Sequence, residues 1–361
     1  MEDHFIRLPF RLYADCPFWV PPFRKQIRSV LRRRHPFFHH ADGEFFLTYR
    51  DEEPVARIAV FENHARTKFH GTREATFYFF DSENDAEAAE KTFETAFDWA
   101  RSRGIGRIFG PNMGGGSGAV GVLVDGFDKR SAMTMMRYNH EYYAGLYERA
   151  GFKKRLDLLS ARLDPNTFAL PERVRRIARL VLDRGRLWVK EFRTKRELRG
   201  YVDRIAALYN ETLVNNAENY PLSDQELQSV AEDLLFVADP KLIKILMHGE
   251  EVVGFLFGFP DLSAALQRSK GSLNPLSILD ILLEFRRTRY LIINGAGILP
   301  SYQKMGGNAL LYYVLEQTSR QKDYLHADLT QVAETTELML RDLKNLGAEI
   351  YKRHRVYERE L

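Results

Sequence analysis

His326, Asp328 and Glu334 lie on "YLHADLTQVAE", an alternating apolar run with ionisable residues at its edge. On an extended strand His326 and Asp328 point to one face, and Asp328 and Glu334 flank the strand's end. A carboxylate so placed can take a proton from an ammonium group, directly or through a water. Structural ion pairing is the ordinary role of such groups; Glu334 is the first choice for chemistry. Upstream, "GAGILPSYQKMGGNALLYYVLEQ" (295–317) reads as strand, turn and helix, with Gly306 and Gly307 at the helix start. Glycine is a poor helix former, so its position there needs a reason. A helix start offers unpaired N–H groups and a positive dipole end, and glycine lets an anion approach them closely. The plainer alternative is a flexible turn. Gly295 and Gly297, inside the preceding strand, mark a bulge or a close backbone approach.

Other chemistries fit less well. "GPNMGGGSGAVG" (110–121) is glycine-rich but lacks the G-K-[ST] ending of a P-loop. His35, His39 and His40 have neither companion cysteines nor an H-E-x-x-H arrangement, and no metal site is expected. The single cysteine, Cys16, excludes an internal disulfide and a thiolate cluster and fits a reducing compartment. No G-x-S-x-G nucleophile elbow is present. A net charge of +4 over 361 residues is too weak a basic signal for nucleic acid. No leader or spanning segment is read: the longest apolar stretch, "LNPLSILDILLEF", is broken by Asp280 and too short to cross a bilayer. A cytoplasmic chain follows. The basic run Arg32–Arg33–Arg34 ends an N-terminal helix that can lie on the inner face of the membrane; a solvated face is the ordinary reading.

The elements that must position these residues are written twice. "FFLTYRDEEPVARIAVFEN" (45–63) and "LIKILMHGEEVVGFLFGFPD" (242–261) both read as β-hairpins, and 198 positions separate Asp51 from Gly249 in their turns. "YYAGLYERAGFKKRLDLLSARL" (142–163) and "TELMLRDLKNLGAEIYKRHRVYE" (336–358) both read as helix, glycine stop and strand, with Gly151 and Gly347 196 apart. Two coincidences at one separation argue for a duplicated unit. Each copy runs hairpin, strand, helix, strand, helix, strand, which predicts an α/β fold with a mixed sheet covered by helices. The expected division is 1–165 and 166–361, with a linker near 164–185 where Pro165 and Pro171 bracket a helix start.

This order resembles the GCN5-related N-acetyltransferase (GNAT) fold, here in tandem. The acyl-CoA loop pattern Q/R-x-x-G-x-G/A is matched by Gln303 and Gly306, with Asn308 in the last position. The family's late helix, N…Y…LYE…GF, is matched in the first copy through Asn139, Tyr147, Glu148, Gly151 and Phe152. The first copy has no glycine at its helix start in "FYFFDSENDAEAAEKTF", and the second has Thr336 near where the late-helix Asn is usual. That division resembles tandem proteins in which one copy binds the donor and the other shapes the acceptor site. More narrowly, "MMRYNHEYYAGLYERAGFKKRLD", "GILPSYQKMGG" and "YKRHRVYE" resemble a bacterial tandem group with members that acylate sphingoid bases as ceramide synthases.

The resemblance implies an acyl-CoA donor, with an acetyl or a long-chain acyl group, an amine acceptor, and no metal. Gly297, Ile298 and Leu299 would face the pantetheine arm, and Gln303, Lys304, Met305, Gly306, Gly307 and Asn308 the pyrophosphate. Tyrosine commonly protonates the leaving thiolate, so Tyr351 and Tyr357 are candidates beside Glu334, Asp328 and His326. Tyr138, Asn139, Tyr142 and Tyr143 are candidates for the acceptor side, with Asn216, Glu218 and Tyr220 in "NAENYPLSDQEL". The local alternative for that segment is a helix cap at Ser223 or Asp224, because S-D-x-E has the capping-box order. A small-amine acetyltransferase and an inactive acyl-CoA-binding repeat are the rival functions.

Overall fold

The computed structural model describes residues 1–114, 119–163, 169–213 and 218–361. The chain forms two compact units. One comprises Met1–Leu159, Ser263–Leu282 and Lys352–Leu361; the other comprises Ser160–Leu262 and Leu283–Tyr351. The hairpins come out as read. Strands β1 (Ala41–Arg50) and β2 (Glu53–Asn63) turn through Asp51 and Glu52, both left-handed. The first unit continues with β3 (Ala75–Ser82), β4 (Arg107–Gly110), β5 (Val122–Asp125) and β6 (Lys153–Leu163). Strand β7 (Leu187–Lys190) precedes the second hairpin, β8 (Ile243–His248) and β9 (Glu251–Pro260), which turns at left-handed Gly249. Strands β10 (Tyr290–Ile298), β11 (His326–Ala333) and β12 (Glu349–Glu360) complete the set.

In the first unit the strand order is β1-β2-β3-β4-β12-β6, with β5 also pairing β12. Helices cover both faces. The helix Ala86–Ser102 sends Ala89, Phe93, Ala96, Phe97 and Ala100 into one core, a spacing of three and four that puts them on one stripe. Phe93 stacks on Phe80 at 4.3 Å between ring centres and sits edge-on to Phe152. Burying each such ring contributes about 2–3 kcal/mol. The N-terminal helices pack Phe5, Ile6, Ile27 and Val30 against Ala59, Phe61 and Phe79 in a second core.

In the second unit the order is β11-β10-β9-β8-β7. One face carries the helix Gly307–Gln321, which packs against the helix Glu172–Arg184. The other carries the helix Val202–Leu213 across β9 and β10. The capping box is present: Ser223 caps the helix Asp224–Val237 and Glu226 reaches back to it.

The units depart from the chain-order halves 1–165 and 166–361 at the last strand of each copy and at Ser263–Leu282, which goes with the first unit. Residues 352–361, the end of copy two, run beside β4, with Tyr357 opposite Gly110 and Glu360 opposite Arg107. Residues 160–163, the end of copy one, go with the second unit, where Ser160 Oγ accepts from the Gln331 N–H at 3.0 Å. Strand partners are chosen by non-local hydrogen bonding, so local pattern carries no record of them. The basic N-terminal run is largely neutralised within the first unit: Arg28 and Arg32 bind Glu2, and Arg33 binds Glu44. No helix among the described residues is long and apolar enough to cross a membrane.

Candidate functional site

Strands β10 and β11 start as a parallel pair, Tyr290 opposite His326, and their pairing stops at Ile293 opposite Leu329. Beyond that point β10 keeps only its β9 neighbour, after a bulge between Ile293 and Ala296. Gly295 makes the bulge with φ +102, a conformation that side chains oppose. The Asn294 amide bridges the fork, donating to Thr330 Oγ1 at 2.7 Å. A Cβ on Gly297 would fall 2.7 Å from Thr212 Oγ1, and one on Gly295 3.1 Å from Phe257. Both strand glycines therefore answer to close packing by Thr212, Phe255 and Phe257, at the place where the sheet opens.

The loop after β10 is exposed from Gln303 to Met305. Gln303 folds back, its amide donating to the Ile298 carbonyl at 3.1 Å, and Leu299 N–H bonds Val253 O. Lys304 and Gly306 are both left-handed. Gly306 is the N-cap of the helix Gly307–Gln321 and offers no capping side chain. The N–H groups of Gly307, Asn308 and Ala309 have no acceptor among the described residues. The glycines are also required by the protein's own packing. A Cβ on Gly306 would meet Val181 at 2.7 Å, and one on Gly307 would meet Leu246 at 2.6 Å. Asn308 has a local reason too: its amide donates to Asp342 at 2.8 Å, tying the helix start to the helix Glu337–Leu346. Burial raises the Asp342 carboxyl, and this bond opposes the rise. Beneath the helix, Leu163, Ile293, Tyr312, Leu315 and Leu346 line an apolar cavity of about 30 Å³. That is room for about one water.

Glu334 follows β11 in the turn Glu334–Thr335, at the end of the strand that leaves β10. Asp328 is held otherwise: Arg162 donates to its two oxygens at 2.8 and 3.2 Å. The same guanidinium lies 4.5 Å over the Tyr351 ring, and burial, reinforced by Asp328, pushes that phenol well above its ordinary value. Tyr351 is thus a protonated phenol beside an occupied carboxylate. His326 stacks on Tyr290 at 4.3 Å, at the closed end of the fork.

Tyr138, Asn139, Tyr142, Tyr143 and Tyr357 all belong to the first unit. Asn139 is buried and holds β5, accepting from Leu123 N–H at 2.7 Å and donating to its carbonyl at 3.0 Å. Tyr142 donates to Ser82 O, and Tyr138 to Phe127 O. Tyr143 accepts from Tyr13 and from Ser82 N–H, and burial raises its phenol far above the usual range. Tyr357 stacks on Tyr147 within the aromatic core. In the second unit Tyr220 is buried and donates to Glu226, the capping-box carboxylate. Glu218 is a left-handed turn residue, and Asn216 lies outside the described residues, as do residues 115–118 of the glycine-rich segment.

Residue patterns alone missed Asn294, Thr330, Thr212 and Arg162. The glycines of N-G-A-G around 294 were the available signal, since a glycine inside a strand often marks a bulge or a close backbone approach. The other three reach the fork only through pairing and helix packing.

No family model matches the chain. It is 27% identical over 365 residues to the bacterial ceramide synthase of Caulobacter vibrioides, covering 99% of this chain and 94% of that one. It is 24% identical over 370 residues to Protein YghO of Escherichia coli, covering 99% and 92%. Among solved structures it is similar to a tandem GNAT protein from the clavulanic acid biosynthesis pathway, with TM-score 0.55, 12% identity, and 99% and 94% coverage. With the repeated hairpin, the forked parallel pair and the uncapped helix beyond it, the chain has the tandem GCN5-related N-acetyltransferase fold.

Proposed function

We propose that this protein is an acyl-CoA-dependent N-acyltransferase with one donor site, in the second unit. The observation that carries the reading is the helix start at Gly307–Ala309, which has three N–H groups without acceptors and follows a forked strand pair through a short loop. Such a start suits a pyrophosphate through its N–H groups and dipole. The strand from Gly297 to Leu299 suits an extended pantetheine, because β10 has lost its β11 neighbour there.

Transfer needs no covalent enzyme intermediate. The amine nitrogen attacks the thioester carbonyl, a C–N bond forms, and the C–S bond breaks. Glu334 takes the proton that the ammonium sheds, directly or through water. The departing thiolate accepts a hydrogen bond from the Tyr351 hydroxyl, which burial keeps protonated, and takes its proton from water as CoA leaves. Asp328 acts by holding Arg162 over Tyr351, as a positioning residue. The acceptor is a long-chain amine of the sphingoid-base type. Its support is the full-length similarity to the ceramide synthase and the aromatic wall of Tyr209, Phe255 and Phe257 beside the fork.

Two measurements test the reading. Calorimetry should show CoA thioester binding at micromolar or tighter affinity, lost in Gly306→Val, where valine adds left-handed strain to its contact with Val181. No binding to the unaltered protein would remove the donor site. Turnover of palmitoyl-CoA with sphinganine should exceed that of acetyl-CoA. Turnover of acetyl-CoA with small amines, and none with sphinganine, would replace the lipid acceptor by a small one.

A further inference from the structure

The helix Pro275–Arg287 is turned inside out. Its inward side carries Ser277, Ile281 and Glu284, all buried, and Asp280, which Arg268 binds through both oxygens at 2.8 and 3.0 Å. Its outward side carries Leu276, Ile278, Leu279, Leu282 and Leu283, with Leu276 78%, Leu279 54% and Leu282 57% exposed. At 3.6 residues per turn these five fall within about half of the helix circumference. Arg286 and Arg287 fall in the same arc, both exposed, and Leu273 and Arg289 extend the patch at either end. No acid stands among them, and Arg286, Arg287 and Arg289 have no ion-pair partner among the described residues. An ordinary surface helix buries its leucines and shows its acids; this one does the reverse.

We infer that this helix is the face by which the protein docks on an anionic lipid bilayer. Charge decides between occupants. The arc needs a partner that is apolar at its centre and negative at its rim. A second copy would present the same face, leucines and unpaired arginines with no acid. A bilayer with anionic headgroups supplies both, and exposed aliphatics beside Arg on one helix face are the composition of an interfacial helix. The basic N-terminal run is the weaker candidate, because Glu2 and Glu44 already bind two of its three arginines, Arg32 and Arg33. The inference stands on exposure and charge alone, so its failure would leave the acyl-transfer reading intact.

Flotation of the full chain with vesicles tests it. The protein should rise with phosphatidylcholine–phosphatidylglycerol vesicles and far less with phosphatidylcholine alone, and added salt should weaken the binding. Leu276→Ser/Leu279→Ser/Leu282→Ser should lower binding by at least about tenfold. Arg286→Gln/Arg287→Gln should lower it by about tenfold and flatten the salt dependence, and this pair decides the matter if the triple variant misfolds. The inference is overturned if the unaltered protein stays with the soluble fraction, or if both variants float equally well. A dimer in light scattering that the leucine variant dissociates would assign the face to a second copy instead.

Discussion

Each copy of the repeat leads a bulged strand into a helix, and the two helix starts are finished differently. In the first unit Asp85 caps the helix Ala86–Ser102, accepting from Ala88 N–H at 3.1 Å, and Arg50 binds Asp85 at 2.5 Å. The opening between β3 and β4 is closed nearby, where Asn112 N–H bonds Phe77 O at 2.8 Å. In the second unit Gly306 supplies no cap, and β10 and β11 stay apart beyond Ile293. The bulge residues follow suit. Phe79 holds φ +52 in β3 and buries its ring against Phe5, whereas Gly295 holds φ +102 and adds nothing to the opening. One copy satisfies its helix start with its own carboxylate; the other has no side chain that caps its start. On the proposed reading the two copies share a geometry and differ in role.

Four perturbations probe the difference between the two units. The largest effect is expected at the proposed site of the second unit: Glu334→Gln should cut kcat by about 10²–10⁴-fold while donor affinity moves little, since a proton acceptor acts in the transition state. Equal losses in kcat and in donor binding would make Glu334 a binding residue. Next is an asymmetry in acid stability. His354, in the first unit, is buried, its Nε2 donating to Arg137 O, and burial lowers its pKa from 6.5 to about 4. The folded state therefore resists protonation that the unfolded state accepts. Its contribution is complete above pH 6.5 and is lost as the pH falls towards 4, by up to about 3 kcal/mol. Urea melts across that window should show the first unit loosening ahead of the second, and His354→Phe should flatten the trend.

Third, Asn308→Glu puts a carboxylate at the open helix start, as Asp85 does at the closed one. Donor affinity should fall about tenfold, roughly 1.4 kcal/mol, while Asn308→Ala, which removes only the bond to Asp342, should bind nearly normally. Equal effects would assign the loss to Asp342. The smallest effect is the reverse exchange. Asp85→Ala should lower stability by about 1 kcal/mol in denaturant melts without creating a second donor site. Two molecules of CoA bound per chain in that variant would mean that the cap alone had silenced the first copy.

Legibility followed the range of the interactions. The hairpins could be read because their turns need residues that accept left-handed backbone, and Asp51, Glu52 and Gly249 do so. The capping box at Ser223 and Glu226 spans three residues and was equally plain. Arg162 and Asp328 are 166 residues apart and gave no sign of each other, so the occupied state of Asp328 was invisible. Asn308 departed from the acyl-CoA loop pattern until its partner Asp342, one helix away, gave it a reason.

Local pattern is enough to show that a unit of hairpin, strand, helix, strand, helix and strand occurs twice, and that only the second copy has glycines at its helix start. These are statements about neighbours along the chain, where periodicity and turn chemistry act. Long-range pairing sends the last strands elsewhere, residues 352–361 to the first unit and residues 160–163 to the second. Tertiary packing also decides that β10 and β11 part company after Ile293 and that the leucines of Pro275–Arg287 face outward. A strand's partner and a helix's rotation depend on which distant surface is there to be covered. No local pattern encodes that surface.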